Sequence, residues 1–313
     1  MAFPDELKRL VADVQSTTKS DVNLYFIERK KQRLDLVYEI YQTQIEDQVA
    51  PIFKNAFLGQ LGEVLAQPDL QLVAYNPGVY DERPSLYTLP ANQIPACQEL
   101  LQKLAAHQSL DFPPRLTETF LKRLWAYAVV IETSDNEVIY FRKHTPSKVV
   151  REMGLIFEGG HFKPLGGEVF NIDQQVDCLC VDGQMYILNG SSFENIFGYR
   201  EWHQQTAQAT LQSLGAMGAF HGLESVAQGW TQNWRMARKL ASIAKTGRLD
   251  KVDYARCRDL AQRYGLKITF DEQQRKIDLS TSDSWQVLKL LDDDYLTSPM
   301  TADDYEVNAK RRK

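Results

Sequence analysis

Between Val226 and Lys267 ten basic side chains stand against three acidic ones: Arg235, Arg238, Lys239, Lys245, Arg248, Lys251, Arg256, Arg258, Arg263 and Lys267 against Asp250, Asp253 and Asp259. The segment carries +7 in a chain whose formal net charge is −5, so the rest carries −12. Cations at this density suit phosphate contacts, which are salt-sensitive and indifferent to base sequence. Trp230, Trp234, Ala237, Ala241 and Ala244 recur at helical spacing and are expected in the core. Arg235, Arg238, Lys239 and Lys245 then fall largely on another face, with Arg248 continuing the set. The alternative is a solvated helix surface with no ligand, and for the tryptophans burial is expected over base stacking.

A second basic group, Arg142, Lys143 and Lys148, follows a strand-like run. Arg142 and Lys143 point to opposite faces of a regular strand, so at most one of them joins a shared binding surface. His144 either joins an anion site or ends the strand. A nuclease needs clustered carboxylates to hold Mg²⁺. Glu158, Glu168, Asp173, Asp177 and Asp182 lie in the same half of the chain, but none stands in an Asp…Glu-x-Lys arrangement, and Asp177 and Asp182 read as turn and strand-end residues. A metal-dependent nuclease centred on Asp177 and Asp182 is therefore the runner-up to DNA binding. Cys178 and Cys180 sit two apart in a strand-like run with no further ligand at a helpful spacing, so they, Cys97 and Cys257 are expected as buried thiols. The glycine pairs 159–160 and 166–167 lack the spacing of a phosphate loop, and there is no G-x-S-x-G or H-E-x-x-H. No catalytic residue, metal or cofactor is expected.

These residues need a scaffold, and the apolar pattern describes one. Pro4 opens a helix with Leu7, Leu10, Val11 and Val14 on one face, and Pro51 opens another with Phe53, Phe57 and Leu61. Val22–Ile27 and Leu34–Tyr41 read as strands joined by the charged stretch Glu28–Arg33. Leu70–Tyr75 and Ser85–Leu89 read as strands around Asn76-Pro77-Gly78, and Ile94–Ala105 as a helix. The segment from Ser109 to Arg115 is the expected boundary between an N-terminal α/β region, 1–115, and a second domain, 116–313.

The second domain opens with a hairpin, Leu124–Glu132 and Glu137–Lys143. Short strands follow at Leu155–Phe157, Val169–Ile172, Val176–Val181 and Met185–Leu188, the last two joined by the turn pair Asp182-Gly183. Short turns between neighbouring runs imply an antiparallel sheet. A helical tract from about Trp202 to Tyr264 is broken at Gly218–Gly222 and Gly247, with Asp250 capping the helix after the second break. A further hairpin, Leu266–Phe270 and Arg275–Ser280, and a short helix capped by Ser282 lead to the acidic run Asp292–Asp294 and the basic tail Lys310–Lys313. The fold class is α+β.

Hydrophobic content of 43% and charged content of 25% are ordinary for a globular chain, and a pI near 5.7 argues against a wholly basic nucleic-acid binder. The start, MAFPDELKRL, has no apolar signal-peptide stretch, and the longest apolar run, near Trp125–Ile131, falls far short of the ~20 residues of a membrane span. A cytoplasmic chain is expected.

The block from Tyr140 to Tyr199 resembles the KwaB family of the Kiwa anti-phage defence system. The residues that carry the likeness are Tyr140-Phe141-Arg142-Lys143, Gly154-Leu155-Ile156-Phe157, Val176-Asp177-Cys178, Asp182 through Asn189, and Phe193 through Tyr199. Leu288 to Leu291, Asp293-Asp294-Tyr295-Leu296 and the end of the chain resemble it too. The resemblance implies a soluble DNA-binding effector that acts with a membrane-spanning subunit, KwaA, to block phage replication and transcription. It implies a place at the inner membrane through that partner, and it suits a homo-oligomer, such as a dimer. It carries over no catalytic residue, and the basic face from Arg235 to Lys245 is a reading of this sequence alone.

Overall fold

The computed structural model describes residues 5–17, 22–32, 35–76, 84–106, 111, 118–145, 155–158, 161–164, 173 and 175–307. The chain forms two compact units, residues 1–74 with 83–198 and residues 75–82 with 199–313.

The first unit is built on one sheet. Its elements are α1 (Asp5–Ser16), β1 (Val22–Gln32), β2 (Asp35–Thr43), α2 (Ala50–Leu65), β3 (Gln71–Ala74), β4 (Ser85–Pro90), α3 (Cys97–Ala105) and α4 (Glu118–Arg123). They continue with β5 (Leu124–Glu132), β6 (Glu137–Lys143), β7 (Leu155–Glu158), β8 (His161–Pro164), β9 (Cys178–Val181), β10 (Gln184–Ile187) and α5 (Gly190–Ile196). The strand order is β2-β1-β5-β6-β9-β10-β4-β3, with β7 and β8 forming a separate hairpin. Strands from both sides of residue 115 therefore share this sheet. All its pairs are antiparallel except β3–β4, which runs parallel; Pro77 and Gly78 of the expected turn lie outside the described residues. The expected strand Val169–Ile172 lies outside the described residues.

The sheet is covered on both faces, which is why β5 reads as a continuous apolar run rather than an alternating one. Tyr127, Val129 and Ile131 of β5 join Leu24 and Phe26 of β1, with Leu7 and Leu10 of α1 and Phe53 and Phe57 of α2 over them. The intervening residues Ala126, Ala128 and Val130 are buried too. On β6, Phe141 meets Phe197, just after α5, with ring centroids 5.2 Å apart. All four cysteines are buried, and burial pushes the Cys180 thiol up to about 11. Asp182 (φ 49°) and Gly183 (φ 72°) make the tight β9–β10 turn.

One expectation for this unit changes. The charged stretch from Glu28 is no connection, because β1 runs on through it to Gln32. The pleat turns Glu28 inward, to 1% exposure, where Arg123 Nε pairs with its carboxylate at 2.6 Å. A charge on the inner side of a strand breaks the apolar alternation from which strands are read, although its pairing lets the strand continue.

The second unit is mainly helical: α6 (Tyr199–Ala216), β11 (Phe220–His221), α7 (Leu223–Gln232), α8 (Trp234–Lys245), α9 (Tyr254–Arg263), β12 (Thr269–Asp271), β13 (Lys276–Asp278), α10 (Ser284–Leu291), β14 (Tyr295–Thr297) and β15 (Asp304–Glu306). Leu211, Leu214, Trp230, Leu240, Ile243, Val287 and Leu288 form its core. β12 and β13 make the expected hairpin, and β11 adds to β13 in parallel from within the expected helix break. The caps shift by a few residues. Asp253 rather than Asp250 caps α9, and Asp283 rather than Ser282 caps α10. Gly222, at φ 70°, turns the chain from β11 into α7, and a Cβ there would stand 3.0 Å from Ser280 N. Gly222→Ala is expected to destabilise the chain by about 1–3 kcal/mol, read as a lowered urea midpoint. Among the described residues no helix is long and apolar enough to cross a membrane.

Candidate nucleic-acid interface

The helical tract has a third break, at Asn233, and it decides which face α8 presents. Asn233 leaves the helix (φ −74°, ψ 111°), and its side-chain oxygen accepts from Arg235 N at 3.0 Å and Met236 N at 3.4 Å. The break separates the phases of α7 and α8, so Trp230 and Trp234 no longer share a face. Trp230 is buried at 1% exposure, whereas Trp234 is 45% exposed. The expectation that both tryptophans lie in the core holds for Trp230 and fails for Trp234. It assumed one uninterrupted helix.

On α8, Ala237, Leu240, Ala241 and Ile243 form the buried stripe. At ~100° per residue, Trp234, Arg235, Arg238, Ser242 and Lys245 fall together on the opposite arc. Arg235 and Lys245 are exposed, Arg238 is half-buried, and its guanidinium lies 5.9 Å from the Trp234 ring centroid. Lys239 and Arg248 lie to the sides. Lys239 Nζ pairs with Asp292 and Asp294 at 2.5 Å each, and Arg248 pairs with the Asp292 carboxylate and donates to its carbonyl oxygen. Asp292 and Asp294, 5% and 1% exposed, follow the C-terminus of α10, where cations are also favoured by the helix dipole.

This pairing accounts for much of the charge imbalance. Residues 268–306 hold ten acidic and three basic side chains, a net −7 that balances the +7 of 226–267. Arg258 pairs with Glu272 at 3.3 Å, and Arg263 with Asp304 at 3.6 Å. Among the described residues Arg235 and Lys245 have no ion-pair partner.

The second basic group separates. Arg142 turns to carboxylates: Nε donates to Asp173 at 2.8 Å, Nη1 to Asp177 at 2.7 Å and Nη2 to Gln175 at 2.9 Å. Lys143 turns the other way, as the strand parity predicts. Its Nζ donates to the carbonyls of Trp125 (2.8 Å) and His144 (2.9 Å) and lies 3.7 Å from the Trp125 ring centroid. The Arg29 guanidinium lies 3.4 Å from the same ring centroid. Trp125 is the extra residue of a β-bulge, since Ile27 pairs with Ala126 and Glu28 with Leu124. Burial, and then the Arg29 charge, bring the Lys143 amine down to about 8. His144 is buried behind the strand end. Lys148 and the tail Lys310–Lys313 lie outside the described residues.

The carboxylates do not converge. Asp177 and Asp182 stand at opposite ends of β9, and Asp177 is 1% exposed with its oxygens engaged by Arg142 and by Lys143 N (2.7 Å). Asp173 is held by Arg142, and Glu168 lies outside the described residues. Among the described residues no three His, Cys, Asp or Glu side chains are grouped to hold a metal.

Residues 121–301, more than half of the chain, match the model of the family described as Kiwa protein KwaB-like. No curated protein and no solved structure matches the chain. The matched span runs from the end of α4, through β5 and the bulge at Trp125, to the β14–β15 turn, and so includes the whole basic helix: the chain belongs to the KwaB-like family of Kiwa proteins and is a component of Kiwa anti-phage defence.

Proposed function

We propose that this Kiwa component binds DNA through its phosphate backbone and, together with a membrane-spanning Kiwa subunit, blocks phage replication and transcription. The observation that carries the reading is the outer arc of α8. There the exposed Arg235 and Lys245 share one face, with Arg238 half-buried between them, while Lys239 and Arg248 are drawn to Asp292 and Asp294. Cations presented from one rigid helix suit phosphates, and they read no base sequence. Lys143, close to Arg29 at the Trp125 bulge, offers a second cationic patch in the first unit.

A salt series with a labelled duplex tests this. Salt-steep binding is expected, with each phosphate contact adding ~0.9 to the slope of log K against log salt. The triple charge reversal Arg235→Glu, Arg238→Glu, Lys245→Glu is expected to weaken binding at least about tenfold and to flatten that slope, with the circular dichroism spectrum retained. Unchanged affinity and slope in a folded triple variant would remove α8 as the interface.

A further inference from the structure

We propose that Trp234 is a stacking platform for an unpaired base, so that the α8 surface accepts single-stranded DNA. This rests on the DNA-binding reading and goes beyond it, from phosphate contact to the form of the nucleic acid.

Of the five tryptophans only Trp234 is exposed, whereas Trp230 is in the core and Trp125 is covered by Arg29 and Lys143. Its place is rigid, because the Asn233 cap sets the first turn of α8 and Ala237, Leu240 and Ala241 anchor the helix on the far side. Its surroundings are cationic, with Arg235 next in the chain, Arg238 one turn on and Lys245 about 16 Å along the axis. An exposed indole in a positive field calls for a partner with flat apolar faces at short intervals along a chain of negative charge. A duplex supplies the charges but keeps its base faces stacked inside. An acidic protein surface supplies charge without a regular series of flat rings. A single strand supplies both, and stacking of a base on an aromatic ring tolerates any sequence.

The test uses the full-length chain, a labelled homopyrimidine strand of about 20 nucleotides, and a blunt duplex of the same length. Trp234→Ala is expected to weaken single-strand binding about tenfold and to leave duplex binding within about twofold. Trp234→Phe, which keeps a ring, is expected to retain most of the single-strand affinity. Single-strand binding is expected to quench tryptophan fluorescence in the unsubstituted chain and to quench it less in Trp234→Ala. If the chain binds duplex but not single strand, or if Trp234→Ala lowers both affinities equally or neither, the platform is overturned while the DNA-binding reading stands. If the unsubstituted chain binds neither form, both fall.

Discussion

Arg142→Ala is expected to cost about 3–5 kcal/mol of stability, the usual penalty for removing one partner of a buried ion pair. Asp177 is 1% exposed and sits where β6, β9 and the start of α5 meet. Its main chain joins Phe141 on one side and Leu188 and Asn189 on the other, at 2.8–3.0 Å. Even with Arg142 present, burial holds the Asp177 carboxyl above its ordinary value, against the opposing pull of Lys143 N and Arg142. Removing the guanidinium strands that carboxylate, and Asp173 and Gln175 lose a donor as well. A sharply lowered urea midpoint is expected at neutral pH. The double variant Arg142→Ala, Asp177→Asn is expected to recover part of the loss, because the neutral amide costs less to bury. A midpoint in Arg142→Ala close to that of the unsubstituted chain would show that the cluster is solvated and contributes little.

Acidification from pH 7 to pH 5 is expected to remove about 2 kcal/mol for each of His144 and His203. His203, 3% exposed, packs between Tyr199 (5.7 Å) and Trp202 (5.1 Å), and among the described residues neither ring nitrogen has a hydrogen-bond partner. Burial, then the Arg238 charge, lower its pKa to about 4. His144, 6% exposed, is lowered to about 4 by burial and then by Lys143, against smaller raising effects from its hydrogen bond to the Leu121 backbone and then from Asp173. The sign follows from proton uptake. The unfolded chain protonates these rings near the ordinary 6.5 and the folded chain only near 4, so stability is full above 6.5 and falls as pH drops through that window. His203→Phe keeps a ring in the aromatic nest and removes the titration. It is expected to be at least as stable as the unsubstituted chain at pH 7 and to reduce the pH 7–5 loss by about half. An identical pH dependence in this variant would mean that His203 protonates in place without penalty.

Most of the first unit is legible in the apolar pattern. The runs that form β1, β2, β5, β6, β9 and β10, the Asp182-Gly183 turn and the helices α1 and α2 follow from local periodicity and turn chemistry, which depend on residues a few positions apart. The family is legible too, because its carrying residues are short runs contiguous in the chain, most of them in the strands, turns and α5 of this unit and the rest in α10 and β14. The parallel β3–β4 pair, the burial of Glu28 beside Arg123 and the extra residue at Trp125 are not, since each depends on a partner far away in the chain.

The candidate site divides along the same line. Sequence alone located the basic segment, the burial of Ala237 and Ala241 on α8 and the opposite facing of Arg142 and Lys143, all of which follow from composition and the 3.6- and 2-residue periods. Only the tertiary structure decided which cations stay on the outer face. Asn233 changed the helical phase and exposed Trp234, and the acidic residues after α10 folded back to hold Lys239 and Arg248. The physical reason is that a charge is settled by what lies within a few ångströms of it, and for Lys239 those neighbours are more than fifty residues away in the chain.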